Sequence, residues 1–264
     1  MSDTAIIIPA RFNSSRLPGK PLAIIAGKTM LERVWLNACA ALKDKSLVLI
    51  ATDDERIRSA AEAFGANVIM TPAICENGSE RVNVASKNLN ETVKFIINLQ
   101  GDAPLTPPSL IEGLIALRRI SDADISTVCV ALSDAERTRV IDNSEKWGAG
   151  TYVVFNEKKL ALYFSRYPIP FARDDKTQLG KQTAPLYKHV GIYGYTRASL
   201  ARYAALPESK LEALEKLEQL RALEAGMTIA VQECTLHGRS LVSVDTPDDL
   251  VRAAQVIASE GELV

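Results

Sequence analysis

Short apolar runs alternate with amphipathic stretches along the first half of this chain. AIII (5–8), SLVLIAT (46–52), ANVIM (66–70), VKFIINL (93–99) and ISTVCVAL (125–132) have the length and β-branched content of strands. Between them, TMLERVWLNACAAL (29–42) repeats apolar residues at helical spacing. Asp53 to Phe64 reads as a helix with an Asp cap, closed by Gly65. Strands that are apolar throughout, rather than alternating, are buried on both faces. They predict a three-layer α/β fold with a mostly parallel, Rossmann-like sheet. In such sheets ligands bind beyond the carboxyl ends of the strands.

The pattern changes after about residue 145. TYVVF (151–155), ALYFSR (161–166) and YKHVGIYGYT (187–196), separated by a polar loop over 173–184, suit an added antiparallel piece. PESKLEALEKLEQLRALEAG (207–226) predicts one helix, with Leu211, Leu214, Leu217, Leu220 and Leu223 recurring every three residues and Gly226 as its stop. LVSVDT (241–246) predicts a last strand, followed by a helix capped at Asp245 or Thr246 with Pro247 in its first turn. With no repeat and no low-complexity linker, residues 1–264 read as one domain, with an insertion over about 150–225.

Bulk properties narrow the chemistry. The net charge of −1 gives no global pull toward nucleic acid or anionic membrane, so any anion site must come from a local cluster. No apolar run reaches the ~20 residues of a membrane span. Pro9 and Arg11 end the N-terminal apolar run too early for a signal peptide. Cys39, Cys75, Cys129 and Cys234 are scattered, without the spacing of a disulfide framework or a zinc site, so a reducing cytoplasm is the expectation.

The local cluster is IIIPARFNSSRLPGKPL (6–22), an apolar strand running into a loop with Arg11, Ser14, Ser15, Arg16, Gly19 and Lys20. GK at 19–20 invites comparison with the GxxxxGK[ST] phosphate loop, but that motif's first glycine is absent. Pro21 lacks both the hydroxyl for a metal and an N–H for a phosphate. Two arginines and a lysine beside small residues still form a triphosphate clamp, with forks and a point charge for the anion. From the loop alone, that reading and a solvated basic turn stand level.

The whole string resembles the PAR-x-x-S-x-R-L-P-G-K-P-L signature of the sugar nucleotidyltransferases that activate 3-deoxy-manno-octulosonate (Kdo) with CTP. Further strings resembling the CMP-Kdo synthetases follow in order: ATDDERI (51–57), NGSER (77–81), NLQGDAP (98–104), ALYFSRYPIP (161–170), HVGIYGY (189–195), LEQLR (217–221) and VDTPDDL (244–250). The resemblance implies that CTP and a 3-deoxy-2-ulosonic acid give a CMP-sugar and pyrophosphate, by attack of the anomeric hydroxyl on the α-phosphorus. It implies Mg2+ held by Asp102 and Asp245, each following an expected strand, although on sequence alone Asp245 reads first as a helix cap. It makes Lys20 catalytic with those two carboxylates. It assigns Ala10, Arg11, Lys20, Asn77, Gly78, Arg81 and Gln100 to the nucleotide, with Arg16 a weaker candidate. Arg166, His189, Tyr193, Glu218 and Gln219 fall to the sugar, with Tyr193 and Tyr195 facing one side of their strand. It further implies a homodimer using the antiparallel insertion, an acidic sugar as second substrate, and neither nucleic acid nor membrane insertion.

The match breaks at a few points. The usual QGDEP has Ala103 after Asp102; the usual TR-x-D-H reads Thr71-Pro72-Ala73-Ile74-Cys75, with NGSER for SGTER; and Tyr152 stands for a Lys. Losing positive charge suits a sugar bearing an ammonium, such as 8-amino-Kdo, because like charges repel. Other readings are a nucleotidyltransferase for another nucleotide or acid sugar, a non-catalytic nucleotide-binding protein, and a phosphate-loop kinase.

Overall fold

A computed structural model describes residues 3–14, 16–75, 77–142, 150–171 and 185–264. Ser15 and the polar loop expected over 173–184 lie outside the described residues. The central sheet has the strand order β11-β7-β10-β6-β1-β4-β5. These strands are β1 (Thr4–Pro9), β4 (Val48–Thr52), β5 (Asn67–Met70), β6 (Phe95–Leu99), β7 (Ile125–Ala131), β10 (Tyr187–Thr196) and β11 (Ile229–Cys234). β1 lies parallel to β4 and to β6, with Ile6 opposite both Val48 and Ile97. All six residues of β1 are buried, as expected of a strand covered on both faces.

The helices form the two outer layers. On one face α1 (Met30–Ala41) and α4 (Pro108–Arg118) set Leu31, Val34, Trp35, Leu110 and Leu114 against Ile6, Ile8 and Ile97. On the other, α3 (Gly78–Ser86), α6 (Arg197–Ala204) and α8 (Gln219–Glu224) set Val82, Leu200, Tyr203 and Leu220 against Ile7, Ile96 and Tyr195. Each such fully buried aliphatic side chain contributes roughly 1.5–3 kcal/mol. α2 (Glu55–Ala63) is capped by Asp54, whose carboxylate accepts from the Arg56 N–H, one residue later than the Asp53 that begins the expected helix.

The antiparallel segment is present and is built into the sheet. β10 runs antiparallel between β6 and β7, while β8 (Tyr152–Phe155) and β9 (Ala161–Ser165) extend from it. Gly194 permits that packing. A Cβ there would stand 2.2 Å from a ring carbon of Phe95 on the neighbouring strand.

Two expectations fail. The helix over 207–226 is two helices, α7 (Lys210–Glu215) and α8, broken at Lys216, which takes a left-handed backbone with φ 53°. Leucines every three residues precess by about 60° per step around a helix of 100° per residue, so no straight helix keeps five of them on one face. The break re-aims Leu217 and Leu220 into the core and leaves Leu214 exposed. LVSVDT forms no strand. Val242 and Val244 pack with Ile25, Met30, Leu105 and Ile257, and the Val244 N–H donates to Asp102 O at 2.9 Å. The strand at the sheet edge is β11, which the apolar run directly after Gly226 forms.

The small cluster around Val244 also positions the site. It fastens α9 (Pro247–Glu260) to the hairpin of β2 (Ile24–Ile25) and β3 (Lys28–Thr29), which follows the basic loop.

Candidate active site

Two adjoining cavities open beyond the carboxyl ends of β1 and β6, where the chain reverses its direction of travel across the sheet. The first has a volume of about 670 Å³ and the second about 730 Å³. Arg16, Gln100, Asp102 and Asp245 line both.

The basic loop folds across the first cavity. Gly19 turns with φ 68°, a conformation suited to glycine, and its N–H donates to Phe12 O at 3.1 Å. A short 3-10 turn spans Lys20–Leu22. Its three residues with Pro21 inside are too short to offer a row of free N–H groups. What the loop presents at this point is side chains. Lys20 Nζ donates to Asp102 Oδ2 at 2.9 Å and to Asp245 Oδ1 at 3.1 Å. Arg16 pairs with Asp245 Oδ1 at 3.1 Å. Asp245 is released from helix capping because Thr246 caps α9, in a capping box with Asp249.

The other nucleotide candidates line the same cavity with distinct local duties. Ala10 and Arg11 follow β1. Asn77 caps α3, its side chain accepting from the Glu80 N–H at 2.9 Å. Gly78 opens that helix against Pro9 and Gln100. Arg81 is buried, not a surface ion-pair partner. It hydrogen-bonds Thr71 and pairs with Asp53 at 3.3 Å. Phe12 and Cys75, which the sequence did not single out, also line the cavity. The Arg56 guanidinium stacks 3.3 Å from the Phe12 ring centroid.

Of the sugar candidates, Arg166, His189, Tyr193 and Gln219 line the second cavity; Glu218 does not. Arg166 Nε and Nη2 donate to Glu215 O and Lys216 O, both at 3.2 Å, so the helix break at Lys216 is what holds this guanidinium. His189 is buried, with Nε2 at 2.8 Å from Thr127 Oγ1, and burial pushes its pKa down from 6.5 to about 3. The Tyr193 hydroxyl donates to Gln219 Oε1 at 2.9 Å. Glu218 turns inward and accepts from Ser79 Oγ at 3.0 Å. Burial raises its pKa, and the Ser79 hydrogen bond and the Arg221 charge oppose that rise. Tyr193 and Tyr195 do face one side, their ring centroids 6.4 Å apart within one core cluster.

A cation-bearing loop, two convergent carboxylates and two cavities that share them suit group transfer between two bound substrates, and the comparisons with known proteins agree. A profile of the family described as Cytidylyltransferase matches residues 5–229. The chain is 46% identical over 260 residues to a 3-deoxy-manno-octulosonate cytidylyltransferase of Maricaulis maris, covering 98% of each. It is 40% identical over 257 residues to an 8-amino-3,8-dideoxy-manno-octulosonate cytidylyltransferase of Shewanella baltica, covering 97% of this chain and 99% of the relative. A solved CMP:2-keto-3-deoxy-manno-octonic acid synthetase complexed with CTP superposes with a TM-score of 0.82 at 38% identity, covering 98% of this chain and all of that one. By its sequence and by its fold, the chain belongs to the cytidylyltransferase family.

Proposed function

We propose that this chain transfers the cytidylyl group of CTP to the anomeric 2-hydroxyl of a 3-deoxy-2-ulosonic acid, Kdo or its 8-amino analogue, releasing pyrophosphate. The observation that carries this reading is the shared wall. Asp102 and Asp245 stand between a cavity fronted by Arg11 and Lys20 and a second lined by Arg166, His189, Tyr193 and Gln219. CTP in the first and the sugar in the second would meet at the carboxylates. A bond forms from the sugar oxygen to the α-phosphorus as the bond to the pyrophosphate oxygen breaks, and the hydroxyl proton leaves to solvent.

Asp102 and Asp245 already converge on one cation, the Lys20 ammonium, so their oxygens suit a hard divalent ion such as Mg2+. Bound there, the ion would supply charge for the phosphates and lower the pKa of the attacking hydroxyl. No cluster of three or more metal-ligating side chains occurs among the described residues, which fits an ion completed by phosphate oxygens and water. Arg11 and Lys20 neutralise the triphosphate, and Arg166 faces the sugar carboxylate with the donors its carbonyl bonds leave over.

For the sugar, one feature favours Kdo. Tyr152 replaces the family's Lys, but Lys188 lies opposite it in the β8–β10 register and lines the second cavity. Burial pulls the Lys188 pKa down while Glu136 holds it up, so an amine remains where the sequence suggested a loss of charge. The 8-amino sugar remains the second reading, favoured by Pro72 and Cys75 standing where the family has Arg and His. Pyrophosphate release with Mg2+ and CTP, comparing Kdo, 8-amino-Kdo and a sialic acid, tests all three. Folded protein that binds CTP and is silent with every sugar would sink the proposal.

A homodimer is proposed on the exposure of Leu162, Tyr167, Phe171 and Leu214, apolar side chains of β9, the segment after it and α7. A monomeric mass by light scattering would refute it. No helix among the described residues is long and apolar enough to cross a membrane. We place the enzyme in the cytoplasm, where CTP is available.

A further inference from the structure

A buried threonine on β7 decides which nitrogen of His189, a residue lining the second cavity, carries the hydrogen. Thr127 Oγ1 lies 2.8 Å from His189 Nε2 and 2.8 Å from Ile192 O, with Val190 O farther away at 3.4 Å. These carbonyls are within reach because the β10–β7 register slips between Val190 and Tyr193. A hydroxyl has one proton, and a carbonyl oxygen can only accept. The Thr127 proton is therefore committed to Ile192 O, since the opposite choice would press two acceptor oxygens together at 2.8 Å. Thr127 then meets the imidazole with a lone pair, and Nε2 must carry the hydrogen. The ring is enclosed by Phe164 and Tyr193, with centroids 4.9 Å and 5.5 Å away, and is held neutral by burial. Nδ1 is left as an acceptor with no partner among the described residues.

The same wall carries the complementary group. Gln219 is buried, its Oε1 is taken by the Tyr193 hydroxyl at 2.9 Å, and its Nε2 has no protein partner. A buried amide N–H without a partner is costly, so this donor is set to receive a ligand atom.

We propose that Thr127 is a positioning residue that locks His189 in the Nε2–H tautomer, so that Nδ1 accepts from a sugar hydroxyl while Gln219 Nε2 donates to one. A hydroxyl is both donor and acceptor, so this wall reads the polyol part of the substrate rather than its carboxylate. The role in binding rests on the second cavity being the acid-sugar subsite; the tautomer does not.

The chain contains two histidines, which makes the test direct. In a His237→Asn protein, which removes the exposed histidine, the imidazole ¹⁵N spectrum reports His189 alone. The expected result is a pyrrole-type Nε2 and a pyridine-type Nδ1 in the sugar-free enzyme. Thr127→Val abolishes that preference and raises KM for the sugar about tenfold, the size of one mis-set hydrogen bond. KM for CTP stays the same, and Thr127→Ser restores both the spectrum and KM. An Nδ1–H tautomer in the His237→Asn protein overturns the proposal, even if Thr127→Val does not fold. So does Thr127→Val with unchanged tautomer and sugar KM. If no acid sugar is turned over, the binding role falls with the proposed function, while the spectrum still decides the lock.

Discussion

Asp102 and Asp245 share one counter-ion: Lys20 Nζ stands 2.9 Å from Asp102 Oδ2 and 3.1 Å from Asp245 Oδ1. The ammonium is mostly enclosed, its side chain only 16% exposed, so the contact is shielded better than a surface pair. Removing it leaves two carboxylates facing each other beside the cavity proposed for the triphosphate. Lys20→Met is expected to lower kcat/KM for CTP on the order of 10²- to 10³-fold in a pyrophosphate-release assay. Lys20→Arg should recover only part, because a planar fork cannot reproduce a point charge between two carboxylates. A Lys20→Met enzyme within about threefold of the parent would remove Lys20 from the machinery.

Gly194 makes a second prediction, about stability. With Phe95 only 2.2 Å from the position of an added Cβ, Gly194→Ala forces a ring buried between two strands to move. Overpacking of this kind costs about 1–3 kcal/mol, read as a lower urea midpoint. Gly191→Ala, on the same strand with nothing within 4 Å of its Cβ, serves as the control and should cost well under that. Equal midpoints for the two variants would contradict the packing.

The parallel half of the fold was legible because its strands are apolar on both faces, as in Ile6-Ile7-Ile8, and that pattern has few other solutions. The meeting of Lys20 with Asp245 was not legible in physical terms. It depends on Val242 and Val244 packing beside Met30, a contact between distant parts of the chain that no periodicity reports. The burial of Arg81 was not legible either, because it depends on Asp53 and Thr71, neither of them adjacent in sequence. Thr127 carried the weakest signal of all, one of two adjacent hydroxyl residues, with Ser126, in a strand buried as far as Val130. Its meaning appears only when the β10 irregularity brings two carbonyls to it.

The break at Lys216 links backbone conformation to the sugar side. Lys216 adopts φ 53°, and its carbonyl and that of Glu215 hold Arg166. Lys216→Val places a β-branched residue where the left-handed conformation is least tolerated, at a cost of about 1–2 kcal/mol. If the backbone shifts to relieve this, Arg166 moves with it. The expected outcome is a raised KM for the acid sugar with KM for CTP unchanged. Lys216→Gly, which fits the conformation, should keep both constants. Equal kinetics for Lys216→Val and Lys216→Gly would show that Arg166 does not depend on this turn.

His189 sets a pH dependence whose sign can be worked out. Burial takes its pKa from 6.5 to about 3, so below pH 6.5 the unfolded chain binds a proton that the folded protein refuses. Stability therefore falls as pH drops from 6.5 toward 3, by about 1.2 kcal/mol between pH 7 and pH 5.5 from this group. Glu218 acts with the opposite sign. Its raised pKa gives stability that is complete below 4.5 and lost as pH rises through the folded value. The lowered carboxylates Asp54, Glu136, Asp249 and Glu262 lose their contribution only at more acid pH. Urea unfolding at pH 7 and pH 5.5 therefore reads chiefly the histidine against Glu218. His189→Gln removes the titrating group while keeping a polar side chain, so comparison with the parent isolates the histidine share. The parent should lose about 1.2 kcal/mol more than the variant over that interval. Parallel losses would mean that His189 takes up its proton in the folded protein, which the enclosing Phe164 and Tyr193 rings and the Thr127 hydroxyl argue against.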